Sequence, residues 1–131
     1  MERARRQPRA LPHRHRLGRL AEAIAADYFF AAGFVAVGAN VRAGPLELDL
    51  LIERDDLLVV VEVRARKRHA IETALQSVRP KKQAQIRRAI EGVWRRWLQS
   101  RTHLERVRYD VVTVAFEGTR VELEHIESAF D

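Results

Sequence analysis

Hydrophobic residues recur along the chain with two different periods, and each period predicts one kind of element. Apolar side chains return every three to four positions over residues 17–32 and 81–99, which is typical of amphipathic helices. Elsewhere they alternate with polar residues or run together, which predicts five strands, at residues 34–42, 46–53, 57–65, 107–116 and 120–126. The predicted order is therefore helix, three strands, helix, two strands. Residues 66–78 are interpreted as a loop containing one helical turn.

Turn-forming residues separate these elements. Gly33 predicts the end of the first helix, Gly44-Pro45 and Gly118 mark turns, and Arg54–Asp56 is a short hairpin connection. The chain has 131 residues, of which 47% are hydrophobic, and this is enough for one sizeable core. The pattern therefore predicts a single α/β domain at residues 17–131.

The composition excludes several classes of protein. The chain has no cysteine, which excludes disulfides, thiolate zinc sites and a cysteine nucleophile. No apolar run reaches the ~18 residues that a membrane span needs. Residues 1–16 hold six arginines and lack the apolar segment of a secretory signal. We interpret residues 1–16 as a disordered basic arm, and we expect a cytoplasmic protein without a membrane partner.

Positive charge is concentrated in the middle of the chain. Residues 64–108 carry fourteen basic and three acidic residues, a net charge of +11, whereas the whole chain carries +6. Such a block is typical of a protein that binds a polyanion, although a solvated helix face has the same composition. We expect DNA or another nucleic acid as the partner. The residues expected to contact it are Arg66, Lys67, Arg68, Lys81 and Lys82.

Two acidic residues in neighbouring predicted strands are candidates for a functional site. Glu62 interrupts the apolar 57–65 strand, where burying an unpaired carboxylate is unfavourable by several kcal/mol. In a hairpin centred on Asp55, Asp49 lies almost opposite Glu62, so two carboxylates come within reach of one cation. Two carboxylates with a backbone carbonyl and waters are a usual ligand set for Mg²⁺. Glu22 on the first helix is a candidate third ligand.

An ion-pair interpretation of the same residues stays open. Glu62 and Arg64 are two positions apart, so they project from one face of their strand and can neutralise each other. Asp49 can likewise pair with Arg42. The spacing alone does not distinguish these structural roles from metal binding.

Other chemistry-bearing residues predict structural roles. Trp94 and Trp97 lie three apart on the apolar face of the second helix, which indicates core packing or a dimer interface. Asp110 opens a predicted strand and is interpreted as a turn or pairing residue. The five histidines show no metal-ligand spacing, so we expect surface roles for them. No glycine-rich phosphate-binding motif is present.

Two stretches resemble a known family. Residues 46–51 read L-E-L-D-L-L and residues 59–66 read V-V-V-E-V-R-A-R. They resemble the G-E-I-D-L-I and F-V-E-V-K-x-R signature of the YraN-like uncharacterised bacterial proteins, which belong to the PD-(D/E)XK nuclease superfamily and are similar to archaeal Holliday-junction resolvases. The resemblance covers roughly residues 17–126. Further motif positions match in the same order: Gly18 and Glu22; Gly33, Phe34, Asn40 and Arg42; Val78, Lys82 and Gln83; and residues 108–112.

The resemblance implies both a fold and a reaction. The fold is a restriction-endonuclease-like αβββαβ core, with a mixed central sheet flanked by helices. The reaction is metal-dependent hydrolysis of phosphodiester bonds in DNA, including branched or structured DNA. By this resemblance Asp49 and Glu62 hold Mg²⁺ or Mn²⁺, Glu22 is an additional acid, and the Val63 carbonyl completes the site. Arg64 takes the position of the catalytic lysine.

Two departures from the family pattern bear on activity. Leu46 replaces the usual glycine before the Glu-x-Asp, and Arg64 replaces the lysine. Arginine keeps its charge but cannot act as a base, and its planar fork differs from an ammonium group. Lys67 or Lys82 can substitute from neighbouring elements. Three hypotheses follow: a Mg²⁺-dependent nuclease, a catalytically degenerate nucleic-acid-binding protein of the same fold, and a partner-binding protein that forms a homodimer.

Overall fold

Five strands and two helices make up the described part of the chain. A computed structural model describes residues 13–67 and 78–131, with side chains at 16–66 and 78–131. The elements in chain order are α1 (His13–Ala31), β1 (Val35–Ala43), β2 (Leu46–Arg54), β3 (Leu57–Lys67), α2 (Pro80–Arg96), a 3-10 turn (Leu98–Ser100), β4 (Arg106–Glu117) and β5 (Arg120–Phe130). None of the described helices is both long enough and apolar enough to cross a membrane.

The strands form one mixed sheet in the order β1-β2-β3-β4-β5. β3 and β4 run parallel, from Leu57 opposite Arg106 to Lys67 opposite Phe116, and the other three pairs are antiparallel. A parallel pair needs a crossover, which here contains α2. The sheet therefore places β3 in the centre, as its apolar sequence predicts.

Two-residue turns join the three antiparallel pairs. The loops lie between the partners Ala43 and Leu46, Arg54 and Leu57, and Glu117 and Arg120. Each loop begins with a residue in the left-handed region: Gly44 (φ 61°), Asp55 (φ 55°) and Gly118 (φ 56°). A positive φ at the first loop position suits hairpin strands with a right-handed twist, so these residues fix the register of each hairpin.

Each helix covers one face of the sheet. α1 packs Ala21, Ala25 and Phe29 onto a cluster that includes Ile52 and Val59. On the other face, α2 buries four residues against the second cluster: Ile86, Ala89, Ile90 and Val93. Both faces of β3 therefore contribute to the core, Leu58 and Val60 on the α2 side and Val59 and Val61 on the α1 side.

The predicted mixed α/β fold is confirmed, and the structure is consistent with a restriction-endonuclease-like core. Element ends differ modestly from the predictions. α1 begins at His13 rather than residue 17, because Arg and His side chains continue a helix without adding apolar periodicity. α2 ends at Arg96, followed by the separate 3-10 turn. Of the arm predicted at residues 1–16, residues 13–16 belong to α1, and of the loop predicted at residues 66–78, residues 66–67 belong to β3. Residues 1–12 and 68–77 lie outside the described residues.

The apolar stripe predicted for α1 is wider than its buried face. Leu20 and Tyr28 are 50% and 42% exposed, so they do not join the core. The close contact of α1 with the sheet is made instead by the small side chains of Ala21 and Ala25. Trp94 and Trp97 are half-buried and pack against the α2-side cluster, as the core-packing interpretation expects.

A chain of polar contacts ties α1 to β4 and β5. Asp110 is fully buried, and Arg108 donates to both of its oxygens at 2.9 and 2.8 Å. His125 Nε2 lies 2.7 Å from Asp110 Oδ2, and His125 Nδ1 lies 2.9 Å from the Tyr28 hydroxyl. The expected surface role of His125 is therefore wrong, because β5 carries this side chain under α1, where it is only 11% exposed.

Replacing Asp110 with alanine should destabilise the protein by about 3–5 kcal/mol, because Arg108 and His125 would lose their buried acceptor. The control is Glu127→Ala, since Glu127 is 66% exposed and also pairs with Arg108, at 3.7 Å. We expect the control to change the free energy of unfolding by less than about 1 kcal/mol. Urea unfolding measures both values, and equal losses would show that the buried network contributes nothing special.

Candidate active site

Asp49 and Glu62 meet where the β2–β3 ladder opens. The pairing runs from Arg54 opposite Leu57 to Leu50 opposite Val61, and its next step would place Asp49 opposite Glu62. There the Asp49 side chain acts as the hydrogen-bond acceptor in place of a backbone carbonyl: its Oδ2 accepts the Val63 N–H at 2.8 Å. The hairpin centred on Asp55, as read from the sequence, predicts that Asp49 lies opposite Glu62.

The two carboxyl groups lie close enough to perturb each other. Burial, the negative charge of Glu62 and hydrogen bonding to Glu62 raise the pKa of Asp49 to about 7, against the lowering effect of the Val63 N–H and Lys82. Glu62 itself is only 6% exposed. Asp49 is therefore only partly ionised at neutral pH in the metal-free protein.

Two cations contact Glu62 from the α2 side of the sheet. The Arg64 guanidinium lies 3.3 Å and the Lys82 ammonium 3.8 Å from the same oxygen, Oε1. The ion-pair interpretation is thus correct for Glu62 and Arg64. Among the ion pairs of the described residues, none joins Asp49 to Arg42, so that half of the interpretation is not observed.

Lys82 reaches the site because of how α2 starts. Pro80 stands in the first turn of the helix, where its missing N–H needs no intrahelical partner. The Gln83 side chain donates to the Val78 carbonyl at 2.9 Å, and Val78 is buried in the core. These contacts hold the first turn of α2 beside β3, so a lysine in that turn contacts Glu62.

Glu22 approaches the pair from α1 without joining it. Its pKa is raised, first by burial and second by the charge of Asp49, while a hydrogen bond from Asn40 opposes the shift. Arg19 lies 3.7 Å away on the same helix. The structure thus brings Glu22 within electrostatic range of Asp49, and its role as a metal ligand stays a prediction.

The donor set fits a hard divalent cation. Within the described residues, no three His, Asp or Glu side chains lie close enough together to hold a metal ion. Mg²⁺ is usually bound by one or two carboxylates and keeps several waters, which Asp49 and Glu62 satisfy. In an extended strand the N–H and C=O of one residue face the same edge, so the Val63 carbonyl also faces β2 and can add a neutral oxygen.

The residues expected to contact nucleic acid are distributed around this site. Lys82 contacts Glu62, Lys81 is exposed beside it, and Arg66 pairs with Glu124 at 3.3 Å. Lys67 ends β3, and Arg68 lies outside the described residues. Among the three of these residues whose side chains the structure describes, Arg66, Lys81 and Lys82, it is Lys82 that contacts the acid pair.

The sequence did not reveal two features of the site. Asn40 matched a family motif, but nothing in the spacing linked it to Glu22. The sequence makes Lys82 a candidate substitute for the family lysine, and the structure adds that its ammonium contacts Glu62. The motif matches at Asn40 and Lys82 were the available signal. They mark the two positions but do not indicate which residues these side chains contact.

Comparison with known proteins identifies the family. Residues 21–114 match UPF0102, an uncharacterised protein family. The UPF0102 protein of Sorangium cellulosum is 33% identical over 118 residues, which cover 89% of this chain and 82% of that protein. The UPF0102 protein of Maricaulis maris is 38% identical over 114 residues, covering 87% and 82%. That of Frankia casuarinae is 36% identical over 116 residues, covering 87% and 95%. The chain belongs to the UPF0102 family, which is the family of the YraN-like proteins.

The raised pKa of Asp49 predicts how stability changes with pH in the metal-free protein. The folded state keeps the Asp49 proton up to about pH 7, whereas the unfolded chain loses it near pH 3.8. Stability should therefore fall as pH rises between these values, and the fall should stop above them. Asp49→Asn should remove this component, so the variant gains stability relative to wild type across that range.

Asp56 provides a control of opposite sign. A hydrogen bond from Arg106 lowers the pKa of this exposed carboxyl group. Asp56→Asn should therefore show no gain relative to wild type as pH rises. Thermal unfolding of the three proteins from pH 4 to 8 makes the comparison. A constant difference between wild type and Asp49→Asn would contradict the assignment of the proton.

Proposed function

We propose that this protein is a metal-dependent endonuclease that hydrolyses phosphodiester bonds in DNA, including branched or structured DNA. The observation that carries the proposal is the contact between the Asp49 and Glu62 carboxyl groups at an open point of the β2–β3 ladder, with two cations beside it. Two acids and adjacent positive charge are the components of metal-assisted phosphoryl chemistry. The family resemblance supports the same reaction.

The chain's own residues would act as follows. Asp49 and Glu62 would hold Mg²⁺ or Mn²⁺, aided by the Val63 carbonyl. When bound, the ion supplies positive charge that activates water and neutralises charge on the scissile phosphate. The Val63 N–H, 2.8 Å from Asp49 Oδ2, would keep the Asp49 carboxylate oriented after Asp49 has lost its proton to solvent.

Lys82 supports a catalytic site despite the loss of the family lysine. Its ammonium lies 3.8 Å from Glu62, so the positive point charge that Arg64 does not provide comes from α2. In this role Lys82 would stabilise charge on the phosphate or orient the attacking water.

Arg64 retains a phosphate-binding capacity. One of its amino groups contacts Glu62, but its Nε–H is buried and has no hydrogen-bond partner among the described residues. Buried donors are normally paired, and a guanidinium is well suited to phosphate oxygens. A scissile phosphate that accepts from Arg64 would satisfy this donor.

A groove that contains two arginines supports a DNA partner. It has a volume of about 420 Å³ and lies between the β1–β2 turn and α2. Gln85, Arg88 and Arg96 line it from α2, and Gln85 is within one helical turn of Lys82. A nucleic-acid backbone that leaves the acid pair along α2 would meet these side chains, so we propose the groove as the path of one strand.

A DNA substrate implies the cytoplasm, where we propose that the protein acts. A homodimer through Trp94 and Trp97 stays a prediction. Both side chains are half-buried and pack on the protein's own core, so only their exposed parts are free to contact a second copy. Sedimentation at high concentration distinguishes a monomer from a dimer.

The reaction is tested by incubating duplex, single-stranded and four-way-junction DNA with Mg²⁺ or Mn²⁺. We expect metal-dependent cleavage of at least one substrate, lowered by at least about 100-fold in Asp49→Ala, because one of two carboxylate ligands is lost. The control is Glu122→Ala, which removes an exposed acid on the edge strand β5. Cleavage that persists in Asp49→Ala, or is absent with all substrates, would reject the enzyme.

A second function is supported by the ion pair between Arg64 and Glu62. A degenerate site of the same fold would bind DNA without cutting it. Its affinity would fall steeply with salt, with a slope of about −0.9 per neutralised phosphate. Salt-dependent binding together with no cleavage by wild type would establish this alternative.

The role of Lys82 is tested against its neighbour Lys81. Lys82→Ala should lower the cleavage rate by about 100-fold, because it removes a charge next to the acid pair, while DNA affinity changes little. Lys81→Ala removes an exposed charge of the same kind and should leave the rate within about threefold. Single-turnover cleavage measures both, and equal rates in the two variants would assign no special role to Lys82.

A further inference from the structure

Asn40 has an unusual backbone conformation in the middle of β1. Its φ is 51°, in the left-handed region that most residues avoid. The pairs on either side, Ala39 opposite Leu50 and Val41 opposite Leu48, place Asn40 opposite Asp49. The residue therefore lies at the same level of the sheet as the acid pair, one strand further out.

The two ends of the Asn40 amide have different surroundings. The Asn40 side chain interacts with Glu22 on α1, where its hydrogen bonding lowers the pKa of the Glu22 carboxyl group against the effect of burial. A carboxylate accepts, so the Nδ2 group of the amide is the donor. The other end, Oδ1, is buried and has no hydrogen-bond partner among the described residues.

An unpaired buried carbonyl oxygen is unfavourable unless something else satisfies it. A neutral amide oxygen is also a normal ligand for hard divalent cations and for their bound waters. Here the unpaired atom lies in a residue that faces Asp49 in the register and contacts Glu22, the third acid. The acid pair has no neutral side-chain oxygen to offer a cation, and the free Asn40 Oδ1 can supply one.

We propose that Asn40 is a positioning and ligand residue of the metal site. Its amide nitrogen fixes Glu22, and its amide oxygen supplies a neutral oxygen to the cation held by Asp49 and Glu62 or to one of that cation's waters. This inference rests on the proposed function, since it needs a cation at the acid pair. It adds β1 and α1 to a site otherwise built from β2, β3 and α2.

The competing explanation is that asparagine is present only because it tolerates the left-handed conformation. Glycine separates the two explanations, because Asn40→Gly keeps that backbone conformation and removes the amide. Ser128→Gly is the matched control, since Ser128 has a φ of 49° on β5 and contacts Asp110 rather than the acid pair.

The experiment is a calorimetric titration of the full chain with Mn²⁺, combined with thermal unfolding of the same samples. We expect Asn40→Gly to keep its unfolding temperature and to bind Mn²⁺ about 10- to 100-fold more weakly than wild type. Ser128→Gly should bind Mn²⁺ as wild type does. Wild-type affinity in Asn40→Gly would overturn the role of Asn40 while leaving the proposed function intact.

Asn40→Asp covers the case in which the glycine variant does not fold. It retains an oxygen at the same position, so above pH 7 it should bind Mn²⁺ more tightly than Asn40→Gly does. If Asn40→Gly is unfolded, the comparison is with wild type, and the Mn²⁺ affinity of Asn40→Asp should lie within tenfold of the wild-type value. Binding weaker than that would show that the oxygen is not directed at the ion. No saturable Mn²⁺ binding by wild type, with Asp49→Ala indistinguishable from it, would reject the proposed function and this inference together.

Discussion

The interaction of two carboxyl groups, the partly buried Asp49 and the buried Glu62, is the constraint on which the account of this protein depends. Burial and the negative charge of Glu62 raise the pKa of Asp49 to about 7, so ionising both acids is unfavourable in the metal-free protein. A buried acid pair of this kind is unfavourable for folding unless it binds something positive. Lys82 and Arg64 supply part of that charge, and a divalent cation is proposed to supply the rest.

The sheet creates this contact by interrupting its own hydrogen bonds. The β2–β3 ladder is regular up to Leu50 and Val61, and the Asp49 side chain then binds the Val63 N–H in place of a backbone partner. On β1 the left-handed Asn40 lies at the same level. Two neighbouring strands therefore have unusual local features at the same level of the sheet, next to the acid pair.

The sequence predicted the architecture well because the architecture depends on local patterns. Strand alternation, the glycine-containing turns and the amphipathic stripe of α2 each follow from short-range periodicity, and the hairpin centred on Asp55 placed Asp49 opposite Glu62. The same reasoning failed for His125, because the pairing of β5 with β4 brings it to Asp110 from fifteen residues away. The same reasoning also did not predict the contact between Lys82 and Glu62, because that contact depends on the long crossover that contains α2.

The proposed site draws its parts from elements that are distant in sequence. α1 contributes Glu22, β1 contributes Asn40, and α2 contributes Lys82, while the acids come from one hairpin. Each contact alone has a structural explanation, such as the ion pair between Arg64 and Glu62. Together they combine an acid pair, an unpaired carbonyl oxygen and an unpaired guanidinium donor, a combination that a purely structural role leaves unexplained.

The most direct measurement of the central claim is anomalous X-ray diffraction from a crystal soaked in Mn²⁺. The account predicts one strong anomalous peak within coordination distance of both the Asp49 and the Glu62 carboxylates. An absence of anomalous density there at saturating Mn²⁺ would contradict it.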